Sequence, residues 1–376
     1  MSSDLPIRRT AEGRTVRAIG LVSGGLDSTL AVHVIREQGI EVLAVNFSTG
    51  FCRSDHHRAM ASFGSEQDPR RLRNEALRAG SDLKVPVRVV DISKDYMEII
   101  LKPRHGYGAN MNPCIDCRAY MLRAAAKIME EEGADFVFTG EVLGQRPMSQ
   151  HLRAMKIVEK DAGLEGRLLR PLSAKLLAPT LVEKEGLVDR EQLLRIQGRS
   201  RKQQMARAEE AGLQDIPSPA GGCCFLTDEI YASRFYDLIR HLPEGGKPDE
   251  KGTLLLKVGR HFRLSPDFKL IIGREEAENN FLHHFYPEAL FLEALDHSGP
   301  LAIVESFTEQ EPVAEQLEIM ASMVARYGKG RKEETVRVEV RGQDRKEILE
   351  VRPLADDSET EAWRIPEKFD AADHLR

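Results

Sequence analysis

Long apolar runs are missing from this chain, and so is an apolar stretch near its start. No segment approaches the roughly 18 consecutive apolar residues that span a bilayer, and residues 1–14 are polar and basic rather than a secretory leader. Both absences point to a protein of the cytoplasm with no membrane partner. Cysteine is scarce and odd in number, five in 376 residues, which argues against a disulfide framework and for reduced thiols or a metal site. Tryptophan occurs once. Positive charge is not in excess either, the net charge being −6, so any contact with nucleic acid must come from local basic patches. No GxxxxGK[ST] loop is present, which removes the commonest phosphate-transfer motif.

What is there reads as two domains, since 376 residues exceed one ordinary core. Apolar β-type runs at 16–22, 41–48, 87–92 and 135–139 alternate with helical periodicity at 29–37, 70–83, 94–101 and 117–131. That alternation predicts an α/β fold, a parallel sheet with helices on both faces, here a Rossmann-like domain over 15–213. Residues 186–213 read as charged and mostly helical. A Pro/Gly-rich stretch then predicts a linker over 214–245. Strands at 253–258, 269–272, 301–305 and 335–341 with a helix over 314–327 predict a smaller α+β domain over 246–354. The acidic residues 355–376 read as a poorly ordered tail.

In a parallel sheet, ligands sit beyond the carboxyl ends of the strands. Ser23-Gly24-Gly25-Leu26-Asp27-Ser28 falls there, between a strand and a helix, as does Thr139-Gly140-Glu141. The glycines allow close approach of an anion to backbone N–H groups, and the helix dipole adds to the attraction. With no lysine after the turn, cleavage between the α and β phosphates is more natural than β–γ transfer: Asp27 can hold Mg²⁺, and Ser23 and Ser28 can bind pyrophosphate. Gln145 and Arg146 are further candidates for positioning nucleotide or substrate, with Arg146 facing developing phosphate charge; Arg170 and Lys175 are weaker ones.

Cys114 and Cys117 stand three apart at the start of a predicted helix, where thiols readily become thiolates. Cys223-Cys224 lies far away in a glycine turn. Two structural thiols, a reducible pair, a zinc site drawing on His56 and His57 beside Cys52, and a cubane iron–sulfur cluster on three cysteines all fit this spacing. A basic segment, Arg195, Arg199, Arg201, Lys202 and Arg207, could steer an RNA backbone.

SGGLDS resembles the signature of the PP-loop ATP pyrophosphatases, which implies ATP as ligand and places adenine against Asn46 and Phe47. With His105-Gly-Tyr-Gly-Ala-Asn-Met-Asn-Pro-Cys114-Ile-Asp-Cys117, Thr139-Gly-Glu-Val-Leu-Gly-Gln-Arg-Pro-Met-Ser149 and Ala220-Gly-Gly-Cys223, residues 16–230 resemble the tRNA thiouridine synthases, of the 4-thiouridine synthase (ThiI) and 2-thiouridylase (MnmA and TtuA) kinds. The resemblance implies adenylation of a uridine carbonyl by ATP with Mg²⁺, sulfur attack, and release of AMP. It implies ATP-binding roles for Ser23, Gly24, Gly25, Asp27 and Ser28; Leu26 within the same turn, and Thr139, Gly140 and Arg146 by their place at the crevice, complete the candidate ATP contacts. It also implies a catalytic role for Asp27, and sulfur chemistry, with a [4Fe-4S] cluster, at Cys114, Cys117 and Cys223, Cys224 being the alternative third ligand. The partners implied are tRNA and a sulfur donor, sulfide or a persulfide carrier; homodimerisation stays open. Leu254–His261 and Lys269–Arg274 look like the RNA-binding domain of NFACT proteins, with Arg260, Arg274 and the 328–332 tip facing phosphates. Two other readings compete: an adenylating, amide-forming PP-loop ligase, and a non-catalytic RNA-binding or sulfur-trafficking protein.

Overall fold

The computed structural model describes residues 6–53, 74–213, 224–342 and 344–366. The chain divides after Cys224: one unit holds the chain through Cys52 and from 74 to Cys224, and the other holds Arg53 and the chain from Phe225 onward.

The first unit is built on β1 (Arg17–Leu21), α1 (Leu26–Arg36), β2 (Glu41–Ser48), α2 (Glu75–Asp82), β3 (Val87–Asp91), α3 (Ser93–Leu101), α4 (Cys114–Glu131), β4 (Phe136–Thr139), α5 (Leu152–Asp161), β5 (Leu168–Leu169), α6 (Leu181–Lys184) and α7 (Lys202–Glu210). Its five strands pair in parallel in the order β3-β2-β1-β4-β5. Both faces are covered, which is why the strands read as apolar runs rather than alternating ones. Ala18 joins Leu30, Val32 and Ile35 of α1 on one face, and Ile19 joins Leu122, Ala125 and Ile128 of α4 on the other. Gly20 lies under the ring of Phe138, where a Cβ would come within 2.5 Å. The centre of the sheet is thereby drawn tight where β1 and β4 lie side by side. Residues 186–200 are not the helix expected: apart from a 3₁₀ turn at Arg190–Gln192 they run irregularly, and only Lys202–Glu210 is helical. Charge composition there reports exposure, not a helical apolar stripe.

The second unit contains α8 (Glu229–His241), α9 (Glu250–Leu255), β6 (Arg260–Arg263), β7 (Phe268–Ile272), α10 (Glu276–Phe285), β8 (Leu290–Ala294), β9 (Ala302–Ser306), α11 (Ala314–Tyr327), β10 (Val336–Arg341) and β11 (Lys346–Val351). An antiparallel sheet runs β11-β10-β8-β9-β7-β6. Period-two alternation splits its core: Leu270, Ala302 and Val304 meet Leu317, Met320 and Val324 of α11, while Ile271 and Ile303 face Phe281 and Leu282 of α10.

Three expectations fail here. The linker ends early, because Asp228 caps α8 through Tyr231 N at 3.1 Å and Tyr231, Phe235 and Leu238 bury one helical face. The strand expected over 253–258 is absent: 250–255 form a helix, started by Asp249 accepting from Gly252 N at 2.7 Å, and 256–259 turn. The stretch expected to be poorly ordered is tied down at Thr360, which is fully buried, and at Trp363, whose O accepts a backbone hydrogen bond from Arg263 N at 2.7 Å; residues 367–376 lie outside the described residues. Acidity alone hid the apolar anchors Trp363 and Ile365 in that segment.

Candidate active site

β1 ends at Leu21, opposite Thr139 of β4. The sheet order reverses at this pair, so the loops leaving β1 and β4 open a crevice at the carboxyl ends of the strands. Ser23–Ser28 fills one side of it. Gly24 is in the left-handed region, φ +79°, and its Cα faces the carbonyl of Glu75 so closely that a Cβ would stand 2.4 Å from that oxygen. Gly25 caps α1 without a side chain, leaving the first N–H groups of the helix turned towards the crevice. The loop is tied to itself: Ser28 Oγ donates to Gly25 O at 3.0 Å, and Ser23 N reaches Ser28 Oγ at 3.3 Å. Ser23 is exposed, Leu26 partly buried and Ser28 buried.

Gly140 packs on this loop from β4. A Cβ there would lie 2.6 Å from Asp27 C and Ser28 N, which are backbone atoms with nowhere to retreat. Gly140→Ala is therefore expected to cost about 1–3 kcal/mol through overpacking, read as a lower denaturation midpoint.

Asp27 stands in the first turn of α1. Its Oδ2 accepts from Gln145 Nε2 at 2.6 Å, and Gln145 Oε1 accepts from Gln204 Nε2 of α7 at 3.0 Å. Oδ1 is buried and has no hydrogen-bond partner among the described residues. A carboxylate oxygen kept dry without a donor is costly unless a cation arrives, and a hard oxygen donor at an anion cradle suits Mg²⁺. Gln204, fully buried, was missed by the sequence reading; its only signal was a polar residue on the inward side of an otherwise charged helix.

Beneath the loop lies a second polar layer. Arg170 Nε donates to Glu141 Oε2 at 3.1 Å and its Nη1 to Glu159 at 2.9 Å, while Arg118 Nε stands 3.7 Å from Glu141 Oε1. Burial pushes the Glu141 carboxyl up, but Arg118 and Arg170 outweigh it and hold the group below its ordinary range. Thr139 Oγ1 donates to Glu141 at 3.2 Å. Thr139 and Glu141 are thus inward struts, and Arg146 is half-buried with no ion pair among the described residues. Asn46 donates from Nδ2 to Val22 O at 2.8 Å, fixing β2 against the start of the 23–28 turn, and Phe47 is core. Lys175 pairs with Glu191 at 3.3 Å, on the surface.

The segment before α4 is a compact loop. His105 N donates to Asp116 at 2.9 Å, Gly108 N to Asn112 O at 2.8 Å, and Asn112 Nδ2 to Cys114 Sγ at 2.9 Å. Asp161 binds His105 Nε2 at 2.6 Å, and that bond, with Arg104 nearby, lowers the Asp161 carboxyl below its ordinary range. Cys114 and Cys117 lie in the first turn of α4. Tyr96 of α3 is pushed well above the ordinary phenol range, first by burial and then by Cys117, Cys224 and Cys114, with a hydrogen bond to Cys117. Distant cysteines therefore gather about one phenol. Cys224 is buried, and its backbone pairs with that of Cys52 as an isolated antiparallel bridge, with no disulfide between them. Cys223, and His56 and His57, lie outside the described residues. Among those described, no three His, Cys, Asp or Glu side chains stand close enough to share a metal ion; Cys114 and Cys117 supply two thiols, and Cys224 does not complete a three-ligand set with them.

Arg199 and Lys202 are exposed and Arg201 is half-buried at the start of α7, whereas Arg207 is paired with Glu210 at 3.1 Å. In the second unit Arg260 lies over the ring of Tyr327, 4.7 Å from its centroid, and Arg274 is engaged by Glu278. No helix among the described residues is long and apolar enough to cross a membrane.

Residues 13–175 match the family model described as thiamine biosynthesis protein (ThiI), and residues 259–364 match that of the NFACT protein RNA binding domain. A tRNA-specific 2-thiouridylase MnmA of Geotalea uraniireducens is 25% identical over 290 residues, 74% of this chain and 70% of that protein. A probable tRNA sulfurtransferase of Thermus thermophilus is 31% identical over 160 residues, covering 43% of this chain but only 35% of its own length. A crystal structure of a 4-thiouridine synthetase–RNA complex with bound ATP is 23% identical over 54% of this chain and 53% of its own, with a TM-score of 0.30, too low to add to the assignment. Residues 13–175 are thus similar to the ThiI family and residues 259–364 to the NFACT-type RNA-binding domain, and the relatives that align beyond one domain are tRNA thiouridylases.

Proposed function

We propose that this protein is an adenylating tRNA sulfurtransferase, which replaces a uridine carbonyl oxygen with sulfur at the cost of ATP. The uridine oxygen attacks the α-phosphate, the bond to the β-phosphate breaks, and pyrophosphate leaves. A sulfur nucleophile then forms the C–S bond and AMP departs with the former carbonyl oxygen. The observation that carries this reading is the loop itself, a strand-to-helix turn whose backbone donors face outward beside a buried Asp27 Oδ1 that has no partner among the described residues.

Residues 23–28 bind the pyrophosphate moiety through backbone N–H groups and the Ser23 and Ser28 hydroxyls, whose donors are worth most in a preorganised site. Asp27 supplies the oxygen for Mg²⁺, with Gln145 and Gln204 holding its carboxylate in one rotamer. Asn46 and Phe47 flank the adenine, Thr139 and Gly140 shape the wall of the crevice, and Arg146 faces the phosphates. Arg199, Arg201 and Lys202 lead the tRNA towards the crevice. Cys114 and Cys117 present sulfur chemistry at the start of α4, next to the Tyr96 phenol. Cys114, Cys117 and Cys223 are proposed to hold a [4Fe-4S] cluster; when bound it supplies an iron with no protein ligand, able to take up sulfide.

Two measurements test this. Incubation with ATP and tRNA yields AMP and pyrophosphate, and mass spectrometry of digested tRNA finds a thiolated uridine; ADP and orthophosphate would refute the reaction. Anaerobically purified protein carries about four irons per chain, and Cys117→Ser lowers that content; an unchanged or absent iron content removes the cluster and leaves the thiols.

A further inference from the structure

We propose that a hollow at the carboxy-terminal end of α11 is the seat for backbone phosphates of RNA on the second unit. This rests on the tRNA reading above and gives it a contact surface. The hollow is about 450 Å³ and is lined by Ser298, Tyr327, Gly328, Lys329, Arg331 and Lys332.

Three cations on four successive residues are a cost unless something offsets them. Lys329, Arg331 and Lys332 are exposed, and none makes an ion pair with a described residue. Several other cations of this unit are paired: Arg263 with Asp237, Arg274 with Glu278, Arg337 with Asp296, Arg345 with Glu311 and Glu347, and Lys346 with Glu339. The carboxyl end of a helix favours a cation, but only within its last turn, so α11 accounts for Lys329 better than for the other two. Glu333 and Glu334 follow directly yet do not line the hollow.

The turn carrying these charges is fixed rather than loose. Lys329 N donates to Ser298 O at 3.0 Å and Glu333 N to Gly330 O at 2.9 Å. Gly299 and Gly328 pack backbone to backbone, a Cβ on Gly299 falling 3.3 Å from Gly328 Cα, and a Cβ on Gly330 would come 2.6 Å from the His297 ring. One aromatic face is occupied already, since Arg260 covers Tyr327 and brings a fourth cation beside the hollow. A concave, rigid, uncompensated cluster of this kind suits phosphate oxygens.

The test uses the full-length chain carrying Lys329→Glu, Arg331→Glu and Lys332→Glu together, with a tRNA transcript in filter-binding titrations across a range of salt. Kd is expected to rise about tenfold or more, and the slope of log K against log salt to become shallower by about 2–3, as three phosphate contacts require. Lys346→Glu, whose charge is already matched by Glu339, leaves both unchanged. Wild-type affinity in the triple variant, or weaker binding with an unaltered slope, overturns the proposal. Thiolation by the wild-type chain is read on the same transcript. If it occurs while the variant binds normally, the phosphate seat falls and the reaction stands; if it fails while the variant loses binding, the reverse holds.

Discussion

Asp27→Ala is expected to lower tRNA-dependent pyrophosphate release by at least about a hundredfold while leaving the fold as stable as before, or more so. The two halves of this result have one cause. Oδ1 is buried without a partner among the described residues, so the carboxylate contributes strain rather than stability until a cation reaches it. Electrostatic groups of this kind typically account for about 10²–10³ in rate when placed where charge develops. Gln145 holds Oδ2, and Gln204 in turn holds Gln145, so that the free oxygen is oriented; Gln204→Ala is a positioning change and should fall well short of the Asp27 effect. Initial rates of pyrophosphate formation and a denaturation midpoint, measured on the same preparations, decide the matter. A variant that keeps full activity, or that loses activity only because it unfolds, would remove Asp27 from the metal-binding role.

Arg170→Met should be the most destabilising single change in the first unit. It would strip Glu141, 3% exposed, of its closest cation and leave Glu159 without its partner. Breaking a buried pair from one side costs about 3–5 kcal/mol, which for a unit of this size lowers the midpoint by roughly 6–20 °C. Glu141→Gln added to Arg170→Met should recover part of the loss, because the stranded charge goes with it. The same pair sets a pH dependence. Glu141 is held below its ordinary carboxylate range in the folded state; its ionisation therefore stabilises the fold above the unfolded-state pKa, and that contribution disappears as pH falls through the lower folded value. Midpoints measured downward from pH 6 should drop more for the wild type than for Glu141→Gln; parallel curves would contradict this account of the network.

Much of the first unit was legible because its signals are local. Four parallel strands announced themselves as apolar runs, three of them largely buried and β3 at the exposed edge of the sheet, and the glycine turn after the first could be placed at a strand-to-helix junction by position alone. Cys114 and Cys117 needed only spacing. The second unit was harder. Its helix α11 was readable from period, yet 253–258 reads as a strand where the chain is the end of a helix and a turn, since a short apolar run carries no period that separates strand from helix. Asp249, which caps that helix, was the missed cue. Gln204 was invisible for a different reason: a buried amide among charged neighbours has meaning only once Gln145 is seen opposite it.

From the sequence alone came the kind of site this is: an anion turn without a lysine, a carboxylate within it, and a thiol pair three residues apart. Those are properties of near neighbours along the chain, held by backbone geometry over a few residues. Tertiary structure decided which distant groups share that chemistry. The gathering of Cys114, Cys117 and Cys224 about Tyr96, the pressure of Gly140 on the Asp27 backbone and the Arg118–Glu141–Arg170 layer all join residues far apart in the chain. Such contacts depend on strand order and helix packing, which pattern along a single chain constrains but does not specify.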